Sequence, residues 1–218
     1  MSTIAERLRE VLERVDVAAR AANRDPSAVR LVAISKEHPV DAVLEAHAAG
    51  QLDFGENRAQ ELLAKAPAVS GAEWHFVGRV QRNKVKALAP FVRWWHSVDR
   101  VALADELARH AAGARVLVQV NVAGEETKAG CAPGETAALV EHARRVGLDV
   151  VGLMTVPPAD EDPRSHFARL RALAETCAVA ELSMGMTGDF EASIAEGATI
   201  VRVGTAIFGP RTGASPVL

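Results

Sequence analysis

Residues 31–39 read LVAISKEHP. The first five are apolar or small with no polar alternation, the pattern of a strand buried on both faces of a parallel sheet. A doubly wound nucleotide-binding sheet needs a glycine-rich turn after its first strand, and this stretch contains no glycine. Seven further short runs of the same kind follow, at 52–55 (LDFG), 74–78 (WHFVG), 94–98 (WWHSV), 115–121 (RVLVQVN), 150–155 (VVGLMT), 181–184 (ELSM) and 199–204 (TIVRVG). Between them lie segments of helical period near 40–49, 57–66, 81–89, 100–112, 133–146, 162–177 and 188–196. Gly50, Gly113, Gly147 and Gly197 follow helices, and Pro133 stands near a helix start. Eight strand–helix units predict an α/β fold, a single-domain (β/α)₈ TIM barrel. The open doubly wound sheet is the alternative.

Upstream of this rhythm, residues 1–24 carry an amphipathic helix over 3–23. Ile4, Leu8, Val11, Leu12, Val15, Ala18 and Ala19 form its apolar stripe, and Asp25-Pro26 ends it. Downstream, residues 209–218 (GPRTGASPVL) read as a loose tail. No linker or low-complexity stretch divides the 218 residues, so one domain is expected over 1–218. At 218 residues the chain is shorter than the ~250 typical of a barrel, so its loops must be short.

Composition narrows the function. The net charge is −3, which gives no electrostatic footprint for nucleic acid or an anionic membrane. Cys131 and Cys177 are too few for a disulfide framework, which points to a reducing cytoplasm. The N-terminal MSTIAERLREVLERV lacks the apolar core of a signal peptide, and no apolar run is long enough to span a membrane. The seven histidines show no metal-ligand spacing. There is no tyrosine, so no phenol can serve as acid, base or phosphate ligand. Only five of the 25 basic residues are lysine, namely Lys36, Lys65, Lys84, Lys86 and Lys128.

In a barrel the working groups sit at the C-terminal ends of the strands. Lys36 ends the first run. Desolvation there would lower its pKa and make the amine nucleophilic, although a strand-end lysine can also snorkel to solvent. Asn57 follows the second run, Met154 closes the sixth, and Ser183 lies at the end of the seventh. Arg202, Gly204 and Thr205 come at the end of the eighth. The last two strand ends are where barrels often bind phosphate, through backbone N–H groups and hydroxyls. The same glycines also suit ordinary turns and helix caps. A phosphate cradle facing an imine-forming lysine suggests pyridoxal 5′-phosphate (PLP). Arg202 beside a pyridine nitrogen would leave that nitrogen unprotonated, whereas strong carbanion sinks place a carboxylate there. Alternatively Arg202 pairs with Glu56 or Asp189. His75 reads as a packed strand histidine. Lys128 lies in a polar loop that can overhang the mouth, and Gln81–Lys84 form a polar helix start facing ligand or water.

The motifs LVAISK, FGENRAQE, EWHFVGRVQRNK, NVAGEETKAG, GLMTV, SMGMTGDFEASIAEG and VRVGTAIFG together resemble the pyridoxal phosphate homeostasis proteins, the YggS/PROSC family, from Ile4 to Phe208. The resemblance implies the alanine racemase N-terminal barrel of fold-type III vitamin B6 enzymes, without their second β domain. It implies that Lys36 holds PLP as a reversible Schiff base (aldimine). By the same similarity Ser183, Gly204 and Thr205 contact the phosphate, Arg202 stands near the pyridine nitrogen, and Asn57 and Met154 line the ring. The family segment Gly-Pro-(Leu/Val)-Gln-Ser-Asn-Lys is here Gly78-Arg79-Val80-Gln81-Arg82-Asn83-Lys84, with two added arginines. Where the family often has Ser-Asp-Asp-Met, this chain has Thr187-Gly188-Asp189-Phe190, which keeps the hydroxyl and loses one carboxylate.

The implied function is PLP storage, buffering or delivery, with no catalytic activity of its own, apo-PLP enzymes as partners and a monomeric state. An amino-acid racemase of fold-type III is the alternative, but the missing tyrosine removes its usual second acid–base group. A Schiff-base aldolase acting on a sugar phosphate is a third reading, separated by the visible band that a bound PLP aldimine would show.

Overall fold

The computed structural model describes residues 2–125 and 128–210. Eight parallel strands close into a barrel in chain order, with β8 pairing back onto β1. The strands are β1 (Arg30–Ile34), β2 (Asp53–Glu56), β3 (Glu73–Phe76), β4 (Val92–Val98), β5 (Arg115–Gln119), β6 (Asp149–Met154), β7 (Glu181–Ser183) and β8 (Ile200–Val203). Each matches one of the eight apolar runs. The helices of the outer ring are α2 (Val40–Ala48), α3 (Ala59–Lys65), α4 (Val85–Leu88), α5 (Val101–His110), α6 (Thr136–Arg145), α7 (Pro163–Thr176) and α8 (Phe190–Ala195). A last short helix, α9 (Thr205–Phe208), follows β8, and α1 (Ile4–Ala21) precedes the barrel.

Helix α1 starts at a capping box, in which Thr3 Oγ1 accepts from the Glu6 N–H and Glu6 accepts from the Thr3 N–H. Its buried stripe is Ile4, Leu8, Val11, Val15 and Ala19. Leu12, expected on that stripe, is 44% exposed, because one residue beyond Val11 turns the side chain about 100° away. The loose tail expected from residue 209 falls mostly on 211–218, which lie outside the described residues.

Two apolar layers hold the barrel. The outer layer packs strand residues such as Leu31, Ala33, Phe54, Trp74, Phe76 and Trp95 against the helices. A smaller inner cluster of Val32, Ile34, Trp94, Leu117, Met154 and Ile200 fills the interior. Trp94 lies between the guanidinium groups of Arg30 and Arg115, 5.2 and 5.1 Å from its ring. Both arginines begin their strands, so this stack plugs the N-terminal end and directs the functional groups to the opposite rim.

Candidate functional site

Strand β1 delivers Lys36 to a turn at the C-terminal rim, where the residue is half-buried. The turn is held from behind. The Lys65 ammonium donates to the Ser35 carbonyl (2.8 Å), Glu56 Oε1 (2.6 Å) and Glu61 Oε2 (3.1 Å). Ser35 Oγ donates to Glu56 Oε1 (2.7 Å), and the Glu37 N–H donates to Glu61 Oε2 (2.6 Å). Glu37 occupies the left-handed region at φ 63°, a conformation that persists only where neighbours over-determine it. Burial pushes the Glu56 carboxyl above its usual range despite the Lys65 charge. The sequence reading missed Glu56, Glu61 and Lys65 as a unit. The available signals were the i, i+4 spacing of Glu61 and Lys65 and the scarcity of lysine.

Inside the barrel, six strands contribute one polar column. Arg202 of β8 donates from its two terminal nitrogens to Ser183 Oγ (2.7 Å) and to the Thr155 carbonyl (2.8 Å). Ser183 Oγ lies 2.8 Å from His96 Nδ1, His96 Nε2 lies 2.9 Å from His75 Nδ1, and His75 Nε2 lies 2.9 Å from Asp53 Oδ1. Arg30 closes the lower end on Asp53 Oδ1 (2.6 Å). The two ends set the direction of every bond. A guanidinium can only donate and an ionised carboxylate can only accept. His75 therefore donates from Nε2 to Asp53, His96 donates from Nε2 to His75, and Ser183 donates its hydroxyl proton to His96. Both imidazoles are neutral in this arrangement. Burial lowers His75 and, more strongly, His96, where unfavourable coupling to His75 and the charges of Arg202 and Arg30 add to the effect. Burial opposes ionisation of Asp53, but the hydrogen bonds and charges of His75 and Arg30 outweigh it and hold the carboxyl low. Burial brings Arg202 down to about 10, which leaves it cationic at neutral pH.

The rim loops are shaped by close backbone contacts. A Cβ on Gly204 would lie 3.0 Å from the Ile34 carbonyl oxygen, so the end of β8 presses onto the end of β1 just before Lys36. Gly185, at φ 92°, would place a Cβ 2.1 Å from Ser193 Oγ, so the β7–α8 turn closes only around glycine. Asp189 Oδ1 accepts from the Met186 N–H (2.6 Å) and ties that turn to the start of α8.

Several expected positions thus converge. Lys36 and Gly204 share one edge, Thr205 stands exposed beside them, and Met154 is paired in register with Ser183 below. Others behave differently. The Ser183 hydroxyl, expected to face an anion, is buried with its proton already engaged by His96. Arg202 bonds uncharged oxygens instead of Glu56 or Asp189, because Glu56 points outward to Lys65. His75 is a hydrogen-bonded interior residue, as its strand position suggested. Asn57 is half-buried, and its Oδ1 lacks a partner. Lys128 pairs with Glu125 (2.9 Å) and borders a cavity of about 750 Å³ shared with Pro157, Pro158 and Met186.

Comparison with known proteins agrees with this geometry. Residues 7–212 match the alanine racemase N-terminal domain family. The chain is 47% identical to the pyridoxal phosphate homeostasis protein of Pseudomonas aeruginosa, covering 99% of both, and 44% identical to that of Aquifex aeolicus, covering 94% of this chain and 97% of the relative. The structure of PipY from Synechococcus elongatus with PLP bound superposes with a TM-score of 0.80 at 34% identity, covering 95% of this chain and all of PipY. With near-complete coverage in both directions, the chain belongs to the pyridoxal phosphate homeostasis protein family.

Proposed function

We propose that this protein binds pyridoxal 5′-phosphate reversibly at Lys36 and keeps it available for transfer, serving PLP homeostasis by storage, buffering or delivery. The observation that carries this reading is the junction of β1 and β8, where Gly204 brings an anion-compatible backbone against the turn that bears Lys36, with cationic Arg202 two residues earlier on β8. The residues fit the group. Gly204 leaves no Cβ between the two strand ends, Thr205 offers an exposed hydroxyl, and Gly185 shapes the neighbouring turn. Thr187, half-buried on that turn, is better placed than Ser183 to give a hydroxyl to phosphate. Ser183 instead positions Arg202, while Met154 and Asn57 would flank the ring.

Bound, the cofactor supplies an aldehyde that condenses reversibly with a primary amine. The chain's own part is to present Lys36, hold the phosphate and keep Arg202 charged. A guanidinium only donates hydrogen bonds, so Arg202 would bond the lone pair of a pyridine nitrogen and could not stabilise its protonated form, which would leave the ring a weak electron sink. Such a site suits holding better than α-carbon chemistry. The absence of tyrosine leaves no phenol for a second face, which argues against the racemase reading. The carrier reading extends to apo-PLP enzymes as recipients, a monomeric state and a cytoplasmic location. Two free, buried cysteines support the location.

Borohydride reduction of PLP-loaded protein followed by peptide mass spectrometry tests the assignment. The adduct is expected on Lys36 and absent from Lys36→Ala. Retention of the same visible band by Lys36→Ala would sink it. Rapid two-sided deuterium exchange at the α-carbon of bound amino acids would favour a racemase.

A further inference from the structure

A recess of about 330 Å³ opens between the β2–α3 and β3–α4 loops, beside the rim; it shares Asn57 with the proposed ring pocket but no residue with the Lys36–Gly204 edge. Arg58, Arg79 and Lys84 surround it, with Gln60 and Gln81 between them. No acidic side chain lines it, although the chain as a whole carries a net charge of −3. Arg58 is shared with Glu37 (3.2 Å) and Glu61 (3.7 Å). Among the described residues, the side chains of Arg79 and Lys84 make neither an ion pair nor a hydrogen bond. Phe76 and Leu88, almost fully buried, lie beneath it, and Ala59 with the methylene stems of the arginine and lysine side chains gives the recess its apolar surface.

The frame is rigid. A Cβ on Gly78 would lie 2.2 Å from the Asn57 carbonyl oxygen, so the two loops meet backbone to backbone. Ser97 Oγ donates to the Gly78 carbonyl, and Arg100 donates to the Val80 carbonyl (3.0 Å). The stretch that carries Arg79 is thereby anchored to the end of β4. Asn57 Oδ1 is buried behind the recess wall with no donor. Uncommitted cations beside an apolar surface, in a space sized for a small molecule, match an organic phosphate. The guanidinium and ammonium take the dianion, the amides take its remaining oxygens, and the apolar surface takes the carbon skeleton.

We propose that the recess framed by Arg79, Lys84, Gln60 and Gln81 is a second anion site that binds small aromatic phosphate monoesters independently of Lys36. It goes beyond the cofactor-holding reading and uses neither Lys36 nor the β7 and β8 loops.

The test uses full-length protein loaded with PLP and reduced with borohydride, so that the Lys36 site is filled covalently. Phenyl phosphate, inorganic phosphate and phenol are titrated by calorimetry, with the Gln60 and Gln81 side-chain amides followed by NMR. Saturable binding of phenyl phosphate is expected, tighter than inorganic phosphate, with none for phenol. Arg79→Ala/Lys84→Ala should weaken it by about tenfold or more, since two charge-assisted contacts are lost. The more conservative Arg79→Gln/Lys84→Gln pair should do the same with an unchanged melting temperature. Absence of saturation, unmoved Gln60 and Gln81 resonances, or equal binding by the variants (an adventitious ion only) would overturn the proposal. Failure of the cofactor reading shows separately, as a missing adduct on Lys36, and the dependence on Arg79 and Lys84 can still be measured then.

Discussion

At the residue scale, the interior column gives the sharpest expectations. His96 both accepts from Ser183 and donates to His75, and it is fully buried. His96→Leu would leave the Ser183 hydroxyl proton without an acceptor and His75 Nδ1 without a donor, both buried, while Ser183 Oγ still accepts from Arg202. Each orphaned group costs about 1–3 kcal/mol, so a loss of about 2–5 kcal/mol is expected in urea unfolding. Asp53→Asn is subtler. The amide can donate or accept, so the lower end of the column no longer dictates direction. ¹⁵N chemical shifts of His75 and His96, single Nε2–H tautomers in the parent, should then report mixed tautomers. Identical spectra in parent and variant would refute the ordered column. Ser183 and His75 were visible in the sequence as residues, but their roles were not, because partners 21 and 87 positions apart meet only across the barrel.

At the element scale, the β1 exit turn depends on α3. Removing the Lys65 charge leaves Glu56 buried beside a second acid, Glu61. Lys65→Met should cost about 3–5 kcal/mol, and the double variant Lys65→Met/Glu56→Leu should recover a large part of it. Denaturant unfolding of the three proteins checks this, and an unrecovered double variant would mean that packing outweighs the charge. The β8 exit depends on Gly204. Because a Cβ there meets the Ile34 backbone, Gly204→Val should lower PLP retention after gel filtration more than Lys128→Ala, whose side chain sits in a half-buried loop pair with Glu125. Equal retention would count against the anion role of that loop. The helix and strand rhythm was legible at this scale, since each apolar run and each intervening segment carries its own period. The support that α3 gives to β1 was not, because it rests on a buried lysine reaching back to a carbonyl 30 residues earlier.

At the scale of the whole molecule, the closed barrel makes stability depend on pH through its interior. His75 and His96 are held below their ordinary value of 6.5 in the folded state. Their neutral forms are favoured by folding, so their contribution is complete above about pH 6.5 and is lost as pH falls below it. Asp53, also lowered, adds a further loss below its ordinary value of 3.8. Glu56, raised by burial, works in the opposite sense and offsets part of the trend as it becomes protonated. The urea midpoint should therefore drop between about pH 6.5 and 5, and His75→Gln/His96→Gln should flatten that slope. A slope that survives the double substitution would assign it elsewhere.

Local sequence pattern carried the eight-fold alternation, favoured a closed parallel barrel over an open sheet, and put Lys36, Asn57, Met154, Arg202, Gly204 and Thr205 at or beside strand ends. These follow from local period and from the rule that strand ends collect on one face. Which way each rim group is committed emerges from the folded barrel. It turned Ser183 inward to hold Arg202, sent Glu56 outward to Lys65 and left Arg79 and Lys84 facing an open recess. Hydrogen-bond direction and charge pairing across a barrel depend on which strands face one another in three dimensions, and a linear pattern records only the spacing within each strand.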